Sequence, residues 1–132
     1  MSIIQRMDHF TVLSDDLDAT REFYTMFGLR EGPRPAFQFP GIWFYVDDRP
    51  ILHVISGRGV PNPPAGVIDH MAFSAKDLVG SLAKLKARGI EYDLRRLPPP
   101  YDIWQLFFKD PFGAMVELDF DPKEPGPADW RG

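Results

Sequence analysis

The chain repeats itself at a spacing of 61 residues, and no other feature of the sequence constrains its fold as strongly. Met7-Asp8-His9-Phe10 resembles Ile68-Asp69-His70-Met71. The same spacing relates Asp16-Leu17 to Asp77-Leu78, Gly28 to Gly89 and Trp43 to Trp104. Because one spacing aligns several uncommon residues, chance is a poor explanation. The chain is therefore predicted to contain two copies of one structural unit.

Each copy is predicted to contain one helix and four strands in the order β-α-β-β-β. An alternating stretch, residues 7–13 in the first copy and 68–73 in the second, is typical of a strand. An Asp-rich turn follows, then apolar residues at helical spacing and a glycine that suits a helix end. Strand-like stretches with Asp-, Pro- and Gly-containing turns complete the copy. The predicted fold class is α+β, with two βαβββ repeats forming a paired, cupped mixed sheet around a cavity.

The glycines and prolines indicate where the copies begin and end. Fourteen prolines and eleven glycines gather in a few segments, which favour loops. We predict a single domain over residues 1–121, with repeat one at about 5–56, a linker at 57–66 and repeat two at about 67–120. Residues 122–132 are predicted to be a loose Pro-rich tail.

The composition excludes several classes of partner. The 132 residues carry a formal net charge of −4 and no basic run, which argues against nucleic acid and anionic membranes. No long apolar segment is present, so we expect a cytoplasmic protein without a membrane partner. The absence of cysteine removes thiolates from the available metal ligands.

The histidines are the strongest indication of chemistry. The chain has only three, His9, His53 and His70, of which the first and last occupy equivalent strands of the two copies. Glu117 stands among apolar neighbours in the final strand. Imidazoles fixed on strands beside a carboxylate suit a metal ion. The alternative is that these histidines are ordinary half-buried strand residues and that Glu117 faces solvent.

Three stretches resemble the vicinal oxygen chelate superfamily, which includes glyoxalases, bleomycin resistance proteins and extradiol dioxygenases. They are Asp8-His9, residues 68–73 (IDHMAF) and residues 109–118 (KDPFGAMVEL). The resemblance spans about residues 5 to 120. It implies one divalent metal ion in the cavity, held by His9, His70 and Glu117 with open positions for a bidentate oxygen substrate.

The resemblance leaves the role of His53 open. It falls where many glyoxalase-type members carry a fourth ligand, a glutamate, and where ring-cleaving dioxygenases commonly carry an acid–base histidine. Those dioxygenases usually also place a tyrosine ten residues before the metal glutamate. Here that position is Phe107, which has no hydroxyl to donate, and this departure weakens the dioxygenase interpretation.

Strand alternation predicts which other side chains line the cavity. If Phe107 faces inward, Trp104 faces outward, and the 61-residue spacing then turns Trp43 outward too, toward the helices. The residues predicted to line a mostly apolar substrate pocket are Thr11, Phe44, Gln105, Phe107 and Met115.

The sequence thus favours a divalent-metal-dependent enzyme for a small substrate that chelates through neighbouring oxygens. We lean to an extradiol-type dioxygenase using Fe(II) or Mn(II), with His53 as its base. A glyoxalase-like lyase or isomerase using Ni(II), Co(II) or Zn(II) is the alternative, with His53 as a fourth ligand. A metal-free binding protein of the bleomycin-resistance kind is the alternative from another class. Unpaired sheet edges favour a homodimer.

Overall fold

The computed structural model describes residues 6–64, 66 and 68–131, and the chain divides into two compact units, residues 1–63 and 64–132. Among these described residues, each unit has one helix and one four-stranded mixed sheet. The predicted βαβββ order is confirmed in both. No helix in the described part of the chain is long and apolar enough to cross a membrane.

The first unit has its parallel strand pair at one edge of the sheet. The strand order is β1-β4-β3-β2, with β1 and β4 parallel and the other pairs antiparallel. The elements are β1 (Phe10–Ser14), α1 (Leu17–Met26), β2 (Arg30–Gly32), β3 (Gly41–Val46) and β4 (Arg49–Ser56).

The second unit repeats this arrangement. Its strand order is β5-β8-β7-β6, again with one parallel pair, β5 and β8. The elements are β5 (Met71–Ser74), α2 (Leu78–Ala87), β6 (Tyr92–Arg96), β7 (Trp104–Lys109) and β8 (Met115–Phe120).

Local sequence signals determine where the first helix begins and ends. The Asp16 carboxylate accepts a hydrogen bond from the Ala19 backbone N–H at 3.1 Å, which satisfies a free donor of the first turn. Gly28 follows the helix with a φ of +97°, a conformation that costs glycine nothing. Asp77 and Gly89 play the same parts in α2.

Each sheet packs its apolar residues on one face. In the first unit Phe44 is 0% exposed and contacts Tyr24 of α1, with ring centroids 5.6 Å apart. On the same face the Ser14 hydroxyl is hydrogen-bonded to the Thr20 hydroxyl of α1 at 2.8 Å. In the second unit the corresponding buried residues are Leu106, Phe108, Val116 and Leu118.

The segment after Asp121 corrects the prediction of a loose tail, because it is tied to the second unit. The Glu124 carboxylate accepts hydrogen bonds from the backbone N–H groups of Asp77 at 3.1 Å and Leu78 at 2.7 Å, at the start of α2. The Trp104 indole N–H donates to the Glu124 carbonyl at 3.1 Å, and Trp130 packs edge-on against Trp104 at 4.9 Å. Prolines predicted a loop, but these tertiary contacts cannot be read from composition.

Candidate metal-binding site

Apart from Phe44, the candidate residues of each unit share one face of its sheet, the face opposite the buried apolar residues; we call it the site face. Strand pairing places Thr11, His53 and Trp43 side by side in the first unit. It places Ala72, Glu117 and Phe107 side by side in the second. Since the two rows occupy the same place in the two sheets, His53 stands where the other unit has Glu117.

In the second unit Glu117 is held between two partners. Only 5% of the residue is exposed, and its Oε1 lies 2.9 Å from His70 Nε2. Its Oε2 accepts a hydrogen bond from the Gln105 side-chain amide at 3.2 Å. The ring of Phe107 stands edge-on to His70, with centroids 5.7 Å apart. Sequence-predicted residues thus meet here: His70, Glu117, Gln105 and Phe107.

His70 is held between two carboxylates. Asp69 Oδ2 lies 2.7 Å from Nδ1, and Glu117 lies beside Nε2. The hydrogen bond to Asp69 raises the pKa of His70; burial opposes this and the charge of Glu117 adds to it. A carboxylate beside each ring nitrogen favours the imidazolium form of His70, which has a proton to donate on each side. Its Nε2 proton lies where a metal ion between His70 and Glu117 would replace it.

Asp119 adds a second carboxylate to the site face. It is two residues beyond Glu117 on β8 and pairs with Gln105 across the sheet. Burial raises the pKa of Asp119 to about 7, with the hydrogen bond and charge of Glu117 acting in the same direction. Its Oδ1 is buried and has no hydrogen-bond partner among the described residues. A crowded carboxylate pair with an orphaned oxygen fits a bound cation.

In the first unit His53 lies between two other rings. It stacks on His9 with centroids 3.8 Å apart and planes inclined by 14°. Its other face stacks on Trp43 at 4.0 Å and 11°. Its Nε2 donates to the Pro50 carbonyl at 3.1 Å, which leaves the lone pair on Nδ1. Burial lowers the pKa of His53, as does the charge of His9, while the Pro50 carbonyl opposes this.

The two units share one further detail that the sequence interpretation did not use. Asp8 Oδ1 lies 2.7 Å from His9 Nδ1, as Asp69 Oδ2 does from His70 Nδ1. A carboxylate on Nδ1 fixes the imidazole so that Nε2 is presented to a metal ion. The Asp-His pair that marked the repeat therefore places a carboxylate behind one imidazole in each unit, and the repeated Asp was the sequence signal for this arrangement.

Phe44 and Trp43 correct the prediction of the pocket. Phe44, predicted to line it, is buried against α1, while Trp43, predicted to face the helices, lies on the site face. The 61-residue spacing ends before β3. Gly32 of β2 and Asp93 of β6 are related by the 61-residue spacing, but Gly32 pairs with Trp43 of β3 whereas Asp93 pairs with Phe107 of β7. The second copy therefore has three more residues between β6 and β7 than the first copy has between β2 and β3. Trp43 therefore matches Phe107 and not Trp104.

The remaining sequence-predicted residues are distributed over both units. Thr11 lies beside His53, and Met115 lies on the Glu117 side of β8, two residues before it. His9 belongs to the unit of residues 1–63, and His70 and Glu117 to that of residues 64–132. Over residues 6–64, 66 and 68–131 no three histidine or carboxylate side chains form a group that holds a metal ion. The three-ligand set therefore stays a prediction.

Comparisons with known proteins place the fold. A family model described as Glyoxalase/Bleomycin resistance protein/Dioxygenase superfamily matches residues 6–118. Biphenyl-2,3-diol 1,2-dioxygenase 3 of Rhodococcus globerulus is 30% identical over 131 residues, covering 92% of this chain and 66% of the relative. The chain thus spans slightly less than two thirds of that relative.

Solved structures share the architecture. A putative glyoxalase family protein from Bacillus anthracis has a TM-score of 0.73 at 24% identity, over 92% of this chain and 98% of that one. A mutant of the fosfomycin resistance protein FosX from Listeria monocytogenes, complexed with Mn(II) and 1S,2S-dihydroxypropylphosphonic acid, has a TM-score of 0.72 at 18% identity, over 90% and 94%. Lactoylglutathione lyase from Agrobacterium tumefaciens scores 0.64 at 22% identity, over 90% and 96%. These likenesses show the fold.

Proposed function

Because the chain belongs to the glyoxalase/bleomycin resistance/dioxygenase superfamily, we propose that it is a divalent-metal-dependent enzyme whose small substrate chelates through two neighbouring oxygens. The observation that carries this proposal is the His70–Glu117 pair, 2.9 Å apart on the site face and supported by Asp69 behind the imidazole. An ion pair that only stabilises the fold needs one carboxylate beside His70, whereas a metal-binding histidine uses one carboxylate to support Nδ1 and shares the metal with a second.

The proposed metal ligands are His9, His70 and Glu117. Their donors fit a first-row divalent ion, with two imidazole Nε2 atoms, each supported on Nδ1 by a carboxylate, and one carboxylate oxygen. A bound ion would act as a Lewis acid that lowers the pKa of a substrate hydroxyl. Fe(II) or Mn(II) is our first choice, and Ni(II), Co(II) or Zn(II) would accompany the lyase alternative.

The stacking of His53 favours an acid–base role over a ligand role. A metal ion lies close to the plane of each imidazole that binds it, at ~2.0–2.1 Å from the nitrogen. The rings of His9 and His53 are face to face, 3.8 Å apart and inclined by only 14°. Two planes so nearly parallel do not meet within a metal–nitrogen bond length of either ring, so His9 and His53 cannot bind one ion together in this arrangement. His53 Nδ1 is instead open to accept a proton from a substrate hydroxyl.

The dioxygenase is the activity we favour within this class, and biphenyl-2,3-diol is the first substrate to test because a relative is named for it. Phe107 favours the lyase or isomerase as the second candidate, since its ring lies against His70 and carries no hydroxyl. Metal analysis of protein purified without added metal separates them. Iron supports the dioxygenase, nickel or zinc supports the lyase, and protein that neither contains nor binds metal is the binding protein of the third hypothesis.

The role of His53 is tested by measuring metal content and turnover of His53→Ala together. If His53 is a base, the variant should keep its metal while its turnover of biphenyl-2,3-diol falls by roughly 10²–10⁴-fold. Loss of metal together with activity would make His53 a ligand and support the lyase.

A homodimer is part of the proposal, and a mixing experiment shows whether one site uses residues of both copies. His9→Ala and Glu117→Ala each remove one ligand, so each protein alone binds no metal. If a site takes His9 from one copy and His70 and Glu117 from the other, each mixed dimer has one intact site and binds about one metal ion. An equal mixture, in which about half of the dimers are mixed, then binds about one ion for every two dimers. If each site lies within one chain, the mixture binds none. A monomer in light scattering would contradict the dimer.

A further inference from the structure

A column of three stacked rings crosses the site face of the first unit. His53 lies in the middle, His9 on one side at 3.8 Å and Trp43 on the other at 4.0 Å. Trp43 is directly opposite His53 in the β3–β4 pairing. The His9–His53 contact joins two residues already discussed, but nothing in the proposed chemistry explains why an indole covers the second face of His53.

We propose that Trp43 is a positioning residue, which with the Pro50 carbonyl holds the His53 ring in one orientation and leaves Nδ1 as its reactive nitrogen. The catalytic part of this inference rests on the proposed function of His53 as a base; the positioning itself does not.

Two contacts act together to fix the ring. A flip of His53 about its Cβ–Cγ bond must pass through a position perpendicular to its neighbours, which rings stacked on both faces obstruct. The Pro50 carbonyl then selects one of the two flat orientations, because it accepts a hydrogen bond from Nε2–H at 3.1 Å. Neither contact suffices alone, since the hydrogen bond does not block a flip and the stack does not distinguish Nε2 from Cε1.

The surroundings of Trp43 indicate that it does more than fill the core. It is half-buried on the site face, whereas its neighbours Ile42 and Phe44 are 1% and 0% exposed on the other face. Phe37, from the loop between β2 and β3, approaches the indole at 6.4 Å with its ring tilted by 53°. Phe37 touches Trp43 without stacking on His53, so it provides a control for lost packing.

The experiment compares Trp43→Leu, Trp43→Phe and Phe37→Leu with the wild type by long-range ¹H–¹⁵N NMR of the histidine rings in metal-free protein. The wild type should show His53 with its proton on Nε2 and carbon-bound protons shifted upfield by the stacked rings. In Trp43→Leu we expect that shift to diminish and the two nitrogens to average between tautomers. Trp43→Phe should retain most of the wild-type signature, and Phe37→Leu should leave it unchanged.

Turnover of biphenyl-2,3-diol by the metal-loaded proteins gives the second readout. A misplaced catalytic group costs up to ~100-fold, so we expect Trp43→Leu to lose about 10–100-fold in kcat with metal content unchanged and Trp43→Phe to recover most of the loss. A wild-type His53 protonated on Nδ1, or a Trp43→Leu spectrum like the wild type's, would overturn the inference. If no protein, the wild type included, turns over biphenyl-2,3-diol, the proposed dioxygenase activity on this substrate fails, while the NMR spectra still decide whether Trp43 positions His53.

Discussion

Replacing Asp69 by asparagine tests whether the carboxylate behind His70 helps that histidine to bind a metal ion. Asp69 Oδ2 lies 2.7 Å from His70 Nδ1, so Nε2 is directed at Glu117, 2.9 Å away. Removing a carboxylate that supports a ligating imidazole typically weakens metal binding by ~10–100-fold. The Asp69 side chain is 93% exposed, so water screens its charge. We therefore expect Asp69→Asn to weaken binding by about 10-fold, the lower end of that range.

Isothermal titration with Mn(II), at fixed pH and ionic strength, measures this effect. Asp69→Asn keeps an oxygen that accepts from Nδ1–H but loses the charge, and Asp69→Ala loses both, so the second variant should bind more weakly than the first. Asp93→Asn is the matched control, because Asp93 is an exposed carboxylate of the same sheet that pairs with Arg95 at 2.7 Å instead of a histidine. Equal affinities for Asp69→Asn, Asp69→Ala and the wild type would refute the reasoning.

Two predictions concern the packing that holds the site faces in place. Phe44→Ala should lower the free energy of unfolding in urea by ~3–5 kcal/mol, because Phe44 is fully buried against Tyr24. A loss below ~1 kcal/mol would contradict this burial and support the original prediction that Phe44 lines the pocket. Glu124→Ala should cost ~1–2 kcal/mol, since its carboxylate accepts two backbone hydrogen bonds at the start of α2. Glu91→Ala, at an exposed glutamate of the same unit, is the control for thermal unfolding, and equal melting temperatures for the two variants would contradict the capping role.

The sequence determined the elements because their signals are local. An alternating stretch, an aspartate cap, a helix and a glycine with positive φ recur in both copies, and each requires only a few neighbouring residues. The same locality placed His9 and His70 at equivalent positions. It also placed Glu117 on the side of β8 that carries the site, since alternation along one strand is set by backbone geometry.

The tertiary structure decided which residues of different strands share a face. Alternation along a strand predicts which face a side chain lies on only when the face of another residue in that strand is known. For β3 that face was inferred from Phe107 through the 61-residue spacing, and the spacing between the copies changes by three residues before β3. An odd change in length reverses every side chain of a strand. That is why Trp43, and not Phe44, lies beside His53.

Contacts between residues far apart in the chain were equally beyond the sequence. The ring of His53 on β4 stacks on the indole of Trp43 on β3. The Glu124 side chain accepts a hydrogen bond at the start of α2, 46 residues earlier in the chain. Neither contact has a local signature, because stacking and capping by distant side chains depend on where the backbone returns. The histidines and carboxylates that could take part in chemistry were visible in the sequence. Their orientations relative to neighbouring side chains were determined by the packing of the strands.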